Sequence, residues 1–292
     1  MTTPSEHRVS THLGVDAAAY DTAIRRFIPG YEEMIAEVVS ILDDSLDEAV
    51  RVVDLGAGTG ALAGAILDGI PRSRVILVDI DPHMLDVAAA RIAPHGGRAE
   101  LRCATFEDAL AAFAAGTISA GAVPAGAAAA GAAAAGAVPA GAVPAGAVPA
   151  GAAPAGAAPA GAVPAAPAVD GDPGIGAIVA SLALHHVADL DRKRALYSRI
   201  HAALAPGGVF LCADATVHEA GPEHARIFRE WATGMGHAGI PTAEAESLFA
   251  KWAGEDRYHP LAVELDLLAS AGFARPECFW KRGASTVFGA FR

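Results

Sequence analysis

Cysteine is scarce: three in 292 residues, at positions 103, 212 and 278, with no CxxC pair among them. That spacing argues against a thiolate metal site or a disulfide-built scaffold and fits reduced, buried thiols in a cytoplasmic protein. Basic side chains are also few, 21 Lys and Arg against 33 Asp and Glu, for a net charge of −12. A broad nucleic-acid face needs clustered Lys and Arg, so nucleic acid is not an expected partner. Only Arg25-Arg26 and Lys281-Arg282 form small basic spots. From Ala109 to Val169 charge is missing altogether. The chain is 53% hydrophobic, yet Gly or Pro interrupts that tract every few residues. No breaker-free run of about 18 strongly apolar residues remains to span a membrane. The first residues lack a basic region followed by an apolar run, so no export signal is expected.

What fills the uncharged tract is a pentapeptide repeat. GAVPA recurs at Gly136, Gly141 and Gly146, and GAAPA at Gly151 and Gly156. Proline in each copy removes a donor and clashes with a preceding helical turn. The residues are too small to offset chain entropy by burial. Residues 116–168 are therefore expected to be a disordered low-complexity loop.

Outside the tract the hydrophobic period alternates. Tyr31, Met34, Ile35, Val38, Val39, Leu42 and Leu46 form one helical stripe, separated by Pro29-Gly30 from a helical stretch at Ala17–Phe27. Short apolar runs at RVVDLG, RVILVDID and RAELRCA follow, with helical segments at Gly60–Asp68 and Pro82–Ile92 between them. After the repeat come a strand (Gly176–Ser181), a helix (Leu190–Leu204) and a strand (Gly208–Asp214). A helix over Pro260–Ala271 and two strands near Ala274–Lys281 and Ala284–Phe291 close the chain. Strands alternating with helices predict an α/β, doubly wound parallel sheet, with the repeat inserted between its third and fourth strands. Residues 1–46 then form a helical N-terminal cap, and 47–292 the main domain. Residues 215–259, which carry Phe228, Trp231, Met235, Phe249 and Trp252, form a helical lid on it.

The sharpest local signal is Val53-Asp54-Leu55-Gly56-Ala57-Gly58-Thr59-Gly60, ending the first strand and opening a helix. Glycines there let a ligand approach backbone that a Cβ would block. Asp79 ends the second strand, where an acid accepts hydrogen bonds from a ribose diol. Gly56-x-Gly58-x-x-Ala61 also satisfies the looser dinucleotide fingerprint, but Asp54 would repel a pyrophosphate. It suits a ligand whose nearby group is cationic, such as an amino-acid ammonium. The helical stripe from Tyr31 to Leu46 is expected on the sheet face beside this loop.

Three stretches, in order, carry a family resemblance: Asp54–Gly60, Val78-Asp79-Ile80-Asp81-Pro82-His83-Met84-Leu85, and Leu204-Ala205-Pro206-Gly207-Gly208-Val209. Together they resemble the motifs of class I S-adenosylmethionine-dependent methyltransferases. The resemblance implies a Rossmann-like sheet of seven strands with an antiparallel last strand, and S-adenosyl-L-methionine as cofactor. It puts the Gly56, Gly58 and Gly60 loop under the methionine portion, Asp79 on the ribose, and Ile80 and Met84 near the adenine. Ser181 then faces the methionine portion. The family's usual Gly-Asp reads Ala104-Thr105 here, so Phe106 is expected to pack on the base where Thr105 replaces the acid. The Arg25-Arg26-Phe27-Ile28-Pro29-Gly30-Tyr31 segment is similar to the cap of relatives of carboxy-S-adenosylmethionine synthases, which implies Tyr31 as a cofactor contact.

Methyl transfer to an oxygen or nitrogen needs a positioned acceptor and, where a proton is lost, a base. His185 and His186, following the fourth strand, are the candidates; both also suit a packing element. No metal site is expected, since His218, His224 and His237 would have to converge. The expected activity is methylation of a small-molecule acceptor. The alternatives are a carboxy-cofactor enzyme of tRNA modification and a non-catalytic cofactor-binding scaffold.

Overall fold

A computed structural model describes residues 15–46, 50–115 and 174–292. The pentapeptide repeat lies outside the described residues. Seven strands form one sheet: β1 (Arg51–Leu55), β2 (Arg74–Asp79), β3 (Ala99–Cys103), β4 (Ile175–Ser181), β5 (Leu204–Ala215), β6 (Glu277–Arg282) and β7 (Ser285–Phe291). Their order is β3-β2-β1-β4-β5-β7-β6, with β7 antiparallel to both neighbours and the remaining pairs parallel. The doubly wound sheet and antiparallel last strand expected from the sequence are present. The strand order reverses between β1 and β4, so their carboxyl ends diverge and leave a crevice.

Two helical layers cover the sheet. On one face lie α1 (Ala17–Phe27), α2 (Tyr31–Ser45), α3 (Ala61–Gly69), α4 (Pro82–Ile92), α7 (Pro222–His237) and α8 (Thr242–Trp252). On the other lie α5 (Phe106–Ala114), α6 (Leu190–Ala203) and α9 (Leu261–Ser270). The period-two pattern of the strands divides the core: Val52 joins the first layer, Val53 and Leu55 the second. The predicted stripe on α2 is buried at Tyr31, Met34, Ile35, Val38 and Leu42. Each such aliphatic side chain contributes about 1.5–3 kcal/mol. As expected, the stripe is buried on the sheet face beside the glycine loop, where α2 packs on β5, β7 and α3 and shares a core with Ala57 of the loop. Gly30, at φ +81°, supplies the left-handed turn that separates α1 from α2.

Local signals set several helix starts at the carboxyl edge of the sheet. Asp81 accepts the His83 N–H at 2.9 Å with Pro82 following, and Asp189 accepts the Arg192 N–H at 2.7 Å. Between β5 and β6 the helices α7 and α8 fold back over the crevice side, while α9 covers the opposite face. Among the described residues no helix is long and apolar enough to cross a membrane.

Candidate functional site

The crevice at the carboxyl edge opens into a cavity of about 360 Å³. One wall is the turn after β1. Gly56 and Ala57 donate their N–H groups to Val78 O at 2.8 and 3.0 Å, which binds the turn to β2. Gly56 and Gly58 have φ values of +76° and +55°. A Cβ on Gly56 would lie 2.4 Å from the Cβ of Ala183, so only glycine fits between the β1 and β4 turns. Leu182, next to Ala183, is held at φ +49° and donates its N–H to Ala213 O at 2.9 Å. A left-handed leucine costs on the order of 1 kcal/mol or more, and it aims the β4 turn into the cavity.

Asp54 lies beneath this turn, fully buried, and neither carboxylate oxygen meets a partner at hydrogen-bond geometry. Burial pushes its pKa up to about 7; the neighbouring Asp79 adds to this, and the Ala63 amide offsets a part. Asp79 accepts the Gly58 N–H at 2.7 Å on Oδ2 and the Asp81 N–H at 2.8 Å on Oδ1. Burial raises its pKa too, against the pull of those amides. Both acids line the cavity.

Of the sequence-predicted cofactor residues, Tyr31, Asp54, Gly56, Gly58, Asp79, Ile80, Met84, Thr105, Phe106 and Ser181 all line this one cavity. Gly60 is not among the lining residues: a Cβ there would meet Leu77 at 3.1 Å and Ala88 at 3.2 Å, so α3 packs closely on its neighbours at this point. Thr105 caps α5, its Oγ1 accepting the Asp108 N–H at 3.1 Å. The N-terminal cap is tied down by a network the sequence did not disclose. Thr59 Oγ1 donates to Asp21 at 2.6 Å, and Arg91 pairs with the same carboxylate while donating to Thr59 O at 2.9 Å.

The far end of the cavity is aromatic and histidine-rich. Trp231, Trp252 and Phe27 form its upper wall, with ring centroids 5.4 Å apart for Phe27–Trp252 and 6.2 Å for Trp231–Trp252. Trp231 donates its indole N–H to Phe27 O at 2.6 Å. Phe228 and Phe249 back this wall, and Met235 is core. His185 and His186 both line the cavity, on a short turn after β4. The Nδ1 of His185 is 2.6 Å from Asp214 Oδ1. Asp214 also accepts the backbone N–H groups of Leu184 and His185 at 3.1 Å each and of Ala215 at 2.8 Å. Burial alone would lower the His185 pKa, but Asp214 outweighs it and the value is raised. Correspondingly Asp214, despite burial, is held below the usual carboxylate range by His185.

Asp256, from the segment after α8, completes this end. Its Oδ1 is 3.6 Å from His185 Nε2 and 3.3 Å from His186 Nδ1, while Tyr258 donates its hydroxyl to Oδ2. No sequence signal marked Asp256 or Tyr258, because each lies some 70 residues from the histidines and comes near only through the fold. Arg192, among the described residues the one Lys or Arg on the cavity wall, pairs with Glu107 at 2.8 Å. The half-buried His224 sits apart, its ring nitrogen on His218 O at 2.8 Å.

Comparisons with known proteins agree with this architecture. Residues 52–123 match a family model described as a methyltransferase domain. No curated protein matches the sequence. Among solved structures, an O-methyltransferase family protein from Burkholderia thailandensis superposes with a TM-score of 0.57 at 17% identity, over 99% of this chain and 64% of that one. A possible exported protein from Bordetella parapertussis gives 0.57 at 14%, over 96% of this chain and 80% of that one. The pyocyanin biosynthetic protein PhzM gives 0.52 at 16%, over 97% and 63%. The chain thus spans less than two thirds of the length of the first and third of these. The matched segment, the shared fold and the ordered motifs agree: residues 52–123 are similar to a methyltransferase domain, and the chain has the fold of the solved methyltransferase-family structures.

Proposed function

We propose that the protein is an S-adenosylmethionine-dependent methyltransferase whose acceptor is a small, largely apolar molecule. The observation that carries this reading is Asp54: a buried carboxylate with no side-chain partner and only the Ala63 amide nearby, under a glycine turn that leaves room for a ligand. A cationic ammonium fits that valence, and the Asp79 carboxylate in the same cavity suits a ribose diol. Ile80, Met84 and Phe106 offer apolar surface for a purine beside it. When bound, the cofactor supplies an electrophilic methyl group on a sulfonium.

The chain's part is to position, to desolvate and to handle a proton. Tyr31, Ile24 and Phe27 from the N-terminal cap close one side of the cavity and exclude water. Trp231 and Trp252 give the acceptor an apolar wall. His185 and His186, proposed at the acceptor, are unequal. Asp214 takes the Nδ1 side of His185 and fixes its ring, so an acceptor O–H or N–H would meet the opposite Nε2 edge and the neighbouring His186 and Asp256. The carboxy-cofactor alternative calls for an uncommitted basic group in the cavity, and Arg192 is already engaged by Glu107.

Titration calorimetry with S-adenosylmethionine tests the reading. Saturable one-to-one binding that Asp79→Ala weakens about tenfold or more is expected, since a hydrogen-bonded carboxylate contributes on the order of 1.5–3 kcal/mol. No binding, or binding indifferent to Asp79, overturns it. Binding without methyl transfer to any acceptor leaves the scaffold reading.

A further inference from the structure

We propose that His185, His186 and Asp256 form a binding site for one divalent first-row metal ion at the acceptor end of the cavity. The proposal rests on the methyltransferase reading for the ion's role, though not for its existence. Three ligand atoms, one from each residue, lie within 4.8 Å of one another on the cavity wall. The Asp256 oxygen stands 3.6 Å from His185 Nε2 and 3.3 Å from His186 Nδ1. Ligands about 2.0–2.1 Å from an ion at tetrahedral angles are separated by about 3.3–3.4 Å, so both Asp256 distances already suit an ion, which would draw the two imidazole nitrogens to the same separation by side-chain rotation.

The surroundings have the form that metal sites require. A ligating histidine is oriented by a hydrogen bond from its other ring nitrogen, and Asp214 holds His185 Nδ1 at 2.6 Å, which turns Nε2 toward Asp256. Tyr258 donates to Asp256 Oδ2 and so steadies the carboxylate with Oδ1 toward the histidines. Asp214 itself is fixed by three backbone N–H groups, which makes the outer shell rigid. Two imidazoles and a carboxylate suit zinc or ferrous iron better than magnesium or calcium. Three protein ligands leave positions open, and the cluster borders the cavity. An acceptor hydroxyl coordinated there would have its pKa lowered, the proton passing to water and the oxygen keeping the electron pair. The acceptor class is thereby narrowed to small molecules carrying a metal-binding oxygen, such as a hydroxyl beside a carbonyl.

The test uses the full chain, treated with chelator and then titrated with Co(II) or Zn(II). One equivalent of Zn(II) retained through dialysis, and a d–d absorption band with one equivalent of Co(II), are expected. His186→Ala, at the partly exposed edge, and Asp256→Asn should each abolish both. Tyr258→Phe, which removes only a hydroxyl from the outer shell, should weaken the metal about tenfold. Absence of the band and of retained zinc in a folded wild-type protein overturns the proposal, as does equal retention by His186→Ala. Calorimetry with S-adenosylmethionine on the chelator-treated protein reports on the methyltransferase reading separately, so either can fail alone.

Discussion

Asp54 and Asp214 are the same side chain, both buried, one near the end of β1 and one near the end of β5, and they behave oppositely. Asp214 is surrounded by three backbone N–H groups and an imidazole, and stays ionised below the usual range. Asp54 has no partner at hydrogen-bond geometry and is pushed up to about 7. An ionised carboxylate is costly to bury unless protein groups replace its water. The difference shows two uses of one chemistry. At one end of the cavity the protein satisfies a charge internally and obtains a rigid histidine. At the other it leaves a valence open at the expense of its own stability.

The sharpest way to break the comparison is to neutralise each acid. Asp214→Asn removes the counter-charge of a buried His185 and should destabilise the fold by about 3–5 kcal/mol, read from denaturant midpoints. Asp54→Asn should leave stability unchanged or raise it, because it removes a desolvated charge that only the Ala63 amide offsets, and an amide oxygen can still accept from that N–H. Under the proposed function the same substitution should lower S-adenosylmethionine affinity by roughly ten- to a hundredfold in calorimetry. If Asp54→Asn instead unfolds the protein, Asp54 is a structural acid and the contrast fails.

The contrast also has a pH signature. Asp54 binds a proton more readily in the folded chain than in the unfolded one, so stability without ligand should fall as pH rises from about 4 to 7. A cationic ligand must displace that proton, so affinity should decline about tenfold per pH unit below 7 and level off above it. Asp54→Asn should flatten both slopes. For the Asp214–His185 pair the signs differ: the stabilisation from Asp214 is lost as pH falls through its lowered pKa, and that from His185 as pH rises through its raised one. The pair therefore stabilises most between the two. Tyr31→Phe is the gentlest probe: it keeps the ring and its packing and removes only the hydroxyl, so affinity should change only a few-fold.

The two ends are unequally legible in the sequence. Asp54, the glycines and Asp79 stand in short contiguous stretches whose geometry follows from strand ends and left-handed turns, so residue order alone implies their convergence. The motif groups Gly60 with its neighbours, and the tight approach of Ala88 and Leu77 to it is a packing constraint that the motif alone does not disclose. His185 and His186 are visible as a dipeptide, whereas Asp214 as their orienting acid and Asp256 as their neighbour are not. Those pairings depend on where β5 ends and how the chain returns after α8, which no local period encodes. The same holds for Asp21 and Arg91, 70 residues apart, which lock α1 to the glycine turn.

The approach of Gly56 to Ala183 also constrains how such a sequence can change. With their Cβ positions only 2.4 Å apart, the two sites cannot both carry a side chain larger than the present pair allows. Gly56→Ala alone should be crippling, and Ala183→Gly should relieve the collision, although the φ of +76° at residue 56 would still disfavour any Cβ. Substitutions at these positions are therefore epistatic, and the order of acquisition matters: residue 183 must shrink before residue 56 can grow. The turn of one strand thus limits the mutational paths open to the turn of another, far away along the chain.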